Sequence, residues 1–159
     1  MKSFKQFLKE LFTQEEKDAI ENYTDQPHYS NKKIINRLAE RERTKQNLVL
    51  HLGMNPEKAE ELGIHKPVKK QTTVKLKDLQ SASKDSKIAS RFGNIRVVLE
   101  HPKGSKGLNI PHELSSRIVP EHEVILPKGH RMIIHRSETD NKGGITHYGR
   151  TINDESNKK

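Results

Sequence analysis

Two carboxylates one residue apart stand out in the 159-residue chain, in the stretch Pro120-Glu121-His122-Glu123-Val124-Ile125-Leu126-Pro127-Lys128-Gly129. On an extended strand, residues two apart project from one face, so Glu121 and Glu123 point together while His122 points away. The same alternation is also ordinary solubility patterning on an exposed strand. Val124, Ile125 and Leu126 come directly after the pair and need burial, which sets the pair at the mouth of a core rather than on a free tail. Such a pair suits glycosyl transfer: one carboxylate stabilises an oxocarbenium-like sugar centre as the leaving group departs, and its neighbour orients or deprotonates the attacking group. A glycosidase also uses two carboxyl groups, but on opposed walls roughly 5 to 9 Å apart, which a two-residue offset on one strand does not naturally supply. Nine histidines invite a metal reading, yet no helical His-x-x-x-His pair and no His-Glu-x-x-His occurs. No metal site is expected, and single histidines on basic strands read as partly exposed surface.

The elements that must position these groups emerge from periodicity and caps. Phe4, Leu8, Leu11 and Phe12 form an amphipathic stripe over residues 1–12, separable from the rest of the chain. Thr13 with Glu16 has capping-box spacing, so a helix starts at Gln14 and carries Ala19, Ile20 and Tyr23 inward. Ser30 caps a second helix with a buried stripe of Ile34, Ile35 and Leu38, and the Arg/Glu run over 37–43 is its solvated face. Leu48, Leu50 and Leu52 read as a mostly buried strand; Pro56 opens a helix that Gly63 ends. Residues 67–78 are basic and β-prone, with Val74 and Leu76 alternating against lysines. Ser83 can cap a short helix in which Ile88, Ala89 and Phe92 face inward and Gly93 stops the run. Strands are then predicted over 95–99, 107–110, 121–126, 131–135 and 144–152. Helices first and strands second argue for α+β rather than alternating βαβ units. One domain over 13–152 is expected, with a mobile basic tail over 153–159.

Composition narrows the function classes. Lys+Arg number 30 against 21 Asp+Glu, for a net charge of +9, while cysteine is absent and hydrophobic residues make up 30%. Absent cysteine excludes a disulfide framework, a thiolate zinc site and a cysteine nucleophile. The longest apolar runs fall far short of the roughly 20 residues that cross a bilayer, so no membrane partner is expected. Gly104-Ser105-Lys106-Gly107 lies between strands rather than opening a helix, which argues against a P-loop. The positive charge favours polyanions such as nucleic acid, acidic proteins or anionic cofactors, and an aromatic content of 4% counts against a stacking platform for single strands.

Several motifs taken together resemble a family. Thr13-Gln14-Glu15-Glu16-Lys17-Asp18-Ala19-Ile20, Tyr23-Thr24, Tyr29 and Ile35-Asn36-Arg37-Leu38 resemble the N-terminal helical region of the ADP-ribosyltransferase exoenzymes. Gln80-Ser81-Ala82-Ser83 with Ile88-Ala89 and Phe92-Gly93 resembles their Ser-Thr-Ser strand and the helix after it. Pro102-Lys103-Gly104-Ser105-Lys106-Gly107 and the 120–129 stretch resemble their closing block with its Glu-x-Glu motif. The motifs keep the family's order across residues 13–135. The resemblance implies an α+β fold, an ADP-ribosyltransferase-like split antiparallel β core with N-terminal helices, and NAD as co-substrate. It makes Glu123 the catalytic glutamate at the nicotinamide ribose and Glu121 the residue that orients or activates the acceptor, an arginine for Glu-x-Glu members. Ser81 and Ser83 would support the NAD site, with His51, Gly53 and Phe92 beside them; Ser83 is read equally as a helix cap.

The pattern departs from the family where most members carry a phosphate-gripping arginine on the first strand, because the segment here is Val49-Leu50-His51-Leu52-Gly53. His51 is the polar residue there, and Lys69, Lys70 or Arg96 can supply charge from elsewhere, although a lysine lacks the planar fork that binds phosphate bidentately. Ala82 also replaces the usual threonine. Separately, Met1-Lys2-Ser3-Phe4-Lys5-Gln6-Phe7-Leu8-Lys9-Glu10 resembles the capsid-targeting peptide of internal head proteins of large tailed bacteriophages, cleaved after a Leu-x-Glu sequence such as Leu8-Lys9-Glu10. The two resemblances imply a monomeric mono-ADP-ribosyltransferase carried in a phage head, with non-specific DNA contact there, and then acting on host proteins in the cytoplasm. Two alternatives stay open: a catalytically degenerate relative serving as a basic DNA- or protein-binding head component, and an NAD glycohydrolase with water as acceptor.

Overall fold

A capping box starts the folded chain. Thr13 N–H donates to Glu16 Oε1 at 2.9 Å and Glu16 N–H donates to Thr13 Oγ1 at 3.1 Å, satisfying two amides of helix α1 (Gln14–Asp25) that have no intrahelical partner. Arg41, the last residue of α2 (Lys32–Arg41), reaches Glu16 Oε2 at 3.0 Å, so the same carboxylate clamps the end of one helix to the start of the other. The 37–43 run is therefore more than a solvated face. A computed structural model describes residues 12–25, 31–89, 93–110 and 123–153. Ser30 lies outside them, and the cap of α2 is Asn31. Its side chain makes no cap bond; instead Nδ2 donates to the Ala19 carbonyl at 2.7 Å, spending the amide on helix-to-helix docking.

The remaining elements are β1 (Leu48–Met54), α3 (Pro56–Glu61), β2 (Thr72–Lys75), β3 (Gln80–Ser83), α4 (Ser86–Ala89), β4 (Ile95–His101), β5 (Leu108–Asn109), β6 (Glu123–Leu126), β7 (Arg131–Thr139) and β8 (Ile145–Thr151). They form one eight-stranded sheet in the order β2-β7-β8-β4-β1-β3-β6-β5. Every pairing is antiparallel except β4 with β8, so the expected antiparallel core is mixed at one place. β7 runs four residues past the predicted His135 because Arg136 to Thr139 pair with β8 beyond a bulge at Ile134/Arg136. Asn55 caps α3 by accepting from Lys58 N–H at 2.8 Å, with Pro56 in its first turn and Gly63 in the left-handed region just past its end.

Two apolar clusters hold the sheet. The larger joins Leu50 and Leu52 of β1 to Val97 and Leu99 of β4, Val124 and Leu126 of β6, and Ile64 after α3. The smaller packs Ile20, Ile35 and Leu38 of the two N-terminal helices on Leu108 and Ile125. Successive β6 residues thus enter opposite clusters, which is why this strand reads as an uninterrupted apolar run rather than as alternation. Three histidines expected at the surface are buried instead. His147 is held between Ser137 Oγ (2.8 Å) and the Ile64 carbonyl (2.7 Å), while His101 and His130 meet on the Thr151 hydroxyl. His101 and His147 take inward strand positions and His130 lies in the turn before β7, each meeting a partner from far along the chain, a pairing invisible to local sequence. No helix among the described residues is long and apolar enough to cross a membrane.

Candidate active site

The sheet is nearly severed between β1 and β3. Their only Cα partners are His51 and Ser83, whereas β1 matches β4 along all of its length and β3 matches β6 along all of its own. Ser83 in turn faces Glu123. Directly opposed residues project from the same face, so His51, Ser83 and Glu123 form a row across three strands. Ser81, two residues earlier, shares that face opposite Ile125, and Ala82 points the other way into the larger core opposite Val124. Gly53 lies two residues beyond His51, buried and opposite Arg96. Glu121 and Phe92 lie outside the described residues.

The row marks a boundary. Toward β6, this face is roofed by α1 and α2 over Ile125. Toward β4 and β8 it is open: Val49 on β1 is 51% exposed, and Glu100 and Arg150 are exposed as well. Glu123 and Ser83 are buried under the roof edge, each 5% exposed, and His51 is half-buried at the opening. Beside it lies a cavity of about 440 Å³ lined by His51, Lys84, Asp85 and Ser86. The chain turns sharply there because Ser83 Oγ accepts the Asp85 amide at 2.9 Å and Asp85 Oδ1 accepts the Lys87 amide at 2.9 Å. Ser83 is thus the end of a strand and the pivot of a turn; Asp85, not Ser83, serves the start of α4. Gly93 closes the far side: at φ 145° it brings the backbone so close to Met54 that a Cβ there would stand 2.1 Å from the Met54 carbonyl oxygen.

Electrostatics separates the imidazole from the cations. Burial, then the nearby Arg96 guanidinium, push His51 below its ordinary value, with Asp85 opposing. At neutral pH the ring is uncharged and cannot replace the fixed charge of an arginine. Arg96 projects from the same face as His51, and its guanidinium acts on both the His51 ring and the Asp140 carboxylate. Lys84 lines the same cavity, its ammonium drawn below the usual lysine value by burial. Lys69 and Lys70, expected as other sources of charge, are exposed just before β2, four strands from β1, and do not reach this row. Sequence reasoning misses the lining residues Lys84, Asp85 and Ser86; their signal is only that they come after the Ser-x-Ser strand end. Among the described residues no cluster of three metal-ligating side chains occurs.

No protein-family model and no curated protein sequence matches the chain. Solved structures do. The fold is similar to that of Plx2a, an ADP-ribosyltransferase toxin from Paenibacillus larvae, with TM-score 0.69 at 15% identity, covering 91% of this chain and 89% of that one. It is similar to C3stau2 from S. aureus, solved with NAD (TM-score 0.70, 15% identity, 89% and 88% covered), and to the Clostridium limosum C3 exoenzyme (0.70, 18%, 94% and 90%). The chain therefore has the α+β fold of the C3 ADP-ribosyltransferases, at a sequence distance where fold alone is shared.

Proposed function

We propose that the chain is an NAD-dependent mono-ADP-ribosyltransferase that modifies arginines of host proteins. The observation that carries this reading is the His51–Ser83–Glu123 row at the one-residue seam of the sheet, beside a cavity lined by His51 and Lys84, with Arg96 near the imidazole. NAD supplies an activated ribose and a nicotinamide leaving group. The Glu123 carboxylate, held under the helical roof, stabilises the positive charge that grows on the ribose as the glycosidic C–N bond breaks and the electron pair leaves with nicotinamide. Ser83 fixes the strand end next to it, and Ser81 and Gly53 border the same face. Arg96 and Lys84 offer the cations that pyrophosphate needs, the guanidinium by its planar fork. Glu121 orients the acceptor guanidinium and takes the proton released when its nitrogen bonds the sugar carbon. Phe92 is assigned to NAD binding by the family resemblance alone. The protein works as a monomer, is carried in a phage head with residues 1–10 as a cleaved capsid-targeting peptide, touches DNA there without sequence preference, and reaches its targets in the host cytoplasm.

One observation favours a second reading. The uncharged His51 leaves the first strand without a cation, as in a relative that has kept the fold and lost the activity. Labelled NAD incubated with host lysate tests both readings, comparing wild type with Glu123→Ala. The transferase reading expects labelled protein from wild type only; nicotinamide release without labelled protein marks a glycohydrolase. No saturable NAD binding by wild type would leave the degenerate reading.

A further inference from the structure

We infer that a lysine belt running along the edge strand β2 and across the turn after β6 is a docking surface for the phosphate backbone of duplex DNA. It gives a place to DNA contact by this basic chain and does not depend on the transferase chemistry. Between Glu61 and Asp78 the chain carries Lys66, Lys69, Lys70, Lys75 and Lys77 and no acid, and all five are exposed. Val74 and Leu76 are buried, which turns Lys75 and Lys77 outward together. Lys75 directly faces Arg131 on β7, a like-charge cross-strand pair of the kind that weakens a sheet.

The belt continues across the turn after β6. That turn is tied to the β2 end by Gly129 N–H donating to the Leu76 carbonyl and Leu76 N–H donating to the His130 carbonyl, both at 2.9 Å. Lys128 N–H donates to Asn36 Oδ1 at 2.8 Å and so joins the turn to α2. Between them lies a cleft of about 260 Å³ lined by Lys32, Lys33, Asn36, Asp78, Leu79 and Lys128. Its single acid, Asp78, is taken by Lys32 at 3.1 Å, and Lys33 and Lys128 form no ion pair among the described residues. Cations gathered this way repel one another, and a polyanion laid along them relieves that repulsion.

The side chains on the belt select the polyanion. None of these positions is aromatic, so nothing stacks on single-stranded bases. No exposed apolar group accompanies the lysines to enter a headgroup layer, as a membrane-surface segment requires. What is left is point charges for phosphates, read without sequence.

The test is fluorescence anisotropy of a labelled random-sequence duplex over a salt series. The triple variant Lys69→Gln, Lys75→Gln, Lys77→Gln is expected to bind at least about tenfold more weakly and to lower the slope of log affinity against log salt by about 2 to 3, at roughly 0.9 per phosphate contact. Lys33→Gln with Lys128→Gln should act in the same direction. A control triple losing equal charge elsewhere, Lys103→Gln, Lys142→Gln, Arg150→Gln, should leave the slope as in wild type. Equal weakening by both triples would show a net-charge effect and overturn the proposal, as would tighter binding of wild type to anionic vesicles than to duplex. NAD titration of the belt triple should match wild type; failure of wild type to bind NAD would sink the transferase reading and leave the belt untouched.

Discussion

Two buried polar clusters sit on this sheet and have opposite fates. In one, His101 Nδ1 and His130 Nε2 lie 2.7 and 3.1 Å from the Thr151 hydroxyl, with the rings 5.6 Å apart. The hydroxyl has one hydrogen to give, so one ring receives it and the other must present an N–H. The cluster closes around the Thr151 hydroxyl and ties β4, β8 and the turn after β6. In the other, His51, Ser83 and Glu123 form a row across strands that meet at a single residue pair, and His51 lines the cavity beside it. The first cluster links elements far apart in sequence and serves the fold; the second lies where the sheet is joined by one residue pair, next to a cavity.

The contrast between the clusters can be broken in four places, in descending order of expected effect. Glu123→Gln keeps the shape of the open cluster and removes its charge, so label transfer from NAD should fall about 10²–10⁴-fold while circular dichroism stays native; an unchanged rate would remove Glu123 from the chemistry. Acid should damage the closed cluster next. Burial holds His101 down to about 4, against a smaller opposing contribution from the Lys106 backbone. The unfolded chain takes up that proton first, so the stabilisation is fully present above pH about 6.5 and is lost as pH falls to about 4, a change of about 3 kcal/mol. Urea melts across that window should show the fall, and His101→Asn should flatten it.

Thr151→Val takes away the shared hydroxyl and should cost about 2 kcal/mol in the same melts with the NAD dissociation constant unmoved. A shift in NAD affinity there would mean the two clusters are coupled. His51→Arg, last, puts a fixed cation at the opening and should tighten NAD binding about tenfold, the scale of one added charge-assisted hydrogen bond, by isothermal titration. Weaker binding in that variant would mean that Arg96 already fills the phosphate position and that the two guanidinium groups repel.

Much of the scaffold is legible residue by residue. Thr13 and Glu16 make the capping box their spacing predicts, Asn55, Pro56 and Gly63 bound α3, and the Val124-Ile125-Leu126 run is buried because both of its faces are covered. The departures from expectation share a cause. Ser83 reads as a cap because a serine before a helix usually is one, but the antiparallel register holds it in β3 and leaves Asp85 to start α4. The histidines read as surface residues because nothing within a few positions of His147 shows that the Ile64 carbonyl will meet it. The β4–β8 parallel pair is likewise hidden, since β8 slips between β4 and β7 rather than adding to an edge.

From residue order alone came whatever short range enforces: helix limits, the direction of apolar faces, the apolar strand that follows Glu123 and the lack of any cysteine chemistry. Folding in three dimensions decided which distant groups become neighbours. Ser83 stands opposite Glu123, Arg96 rather than Lys69 or Lys70 approaches His51, and lysines from α2, β2 and the turn after β6 share one end. The reason is physical: a one-residue slip in register would turn every side chain of a strand to the other face, and only packing of the whole core excludes that slip.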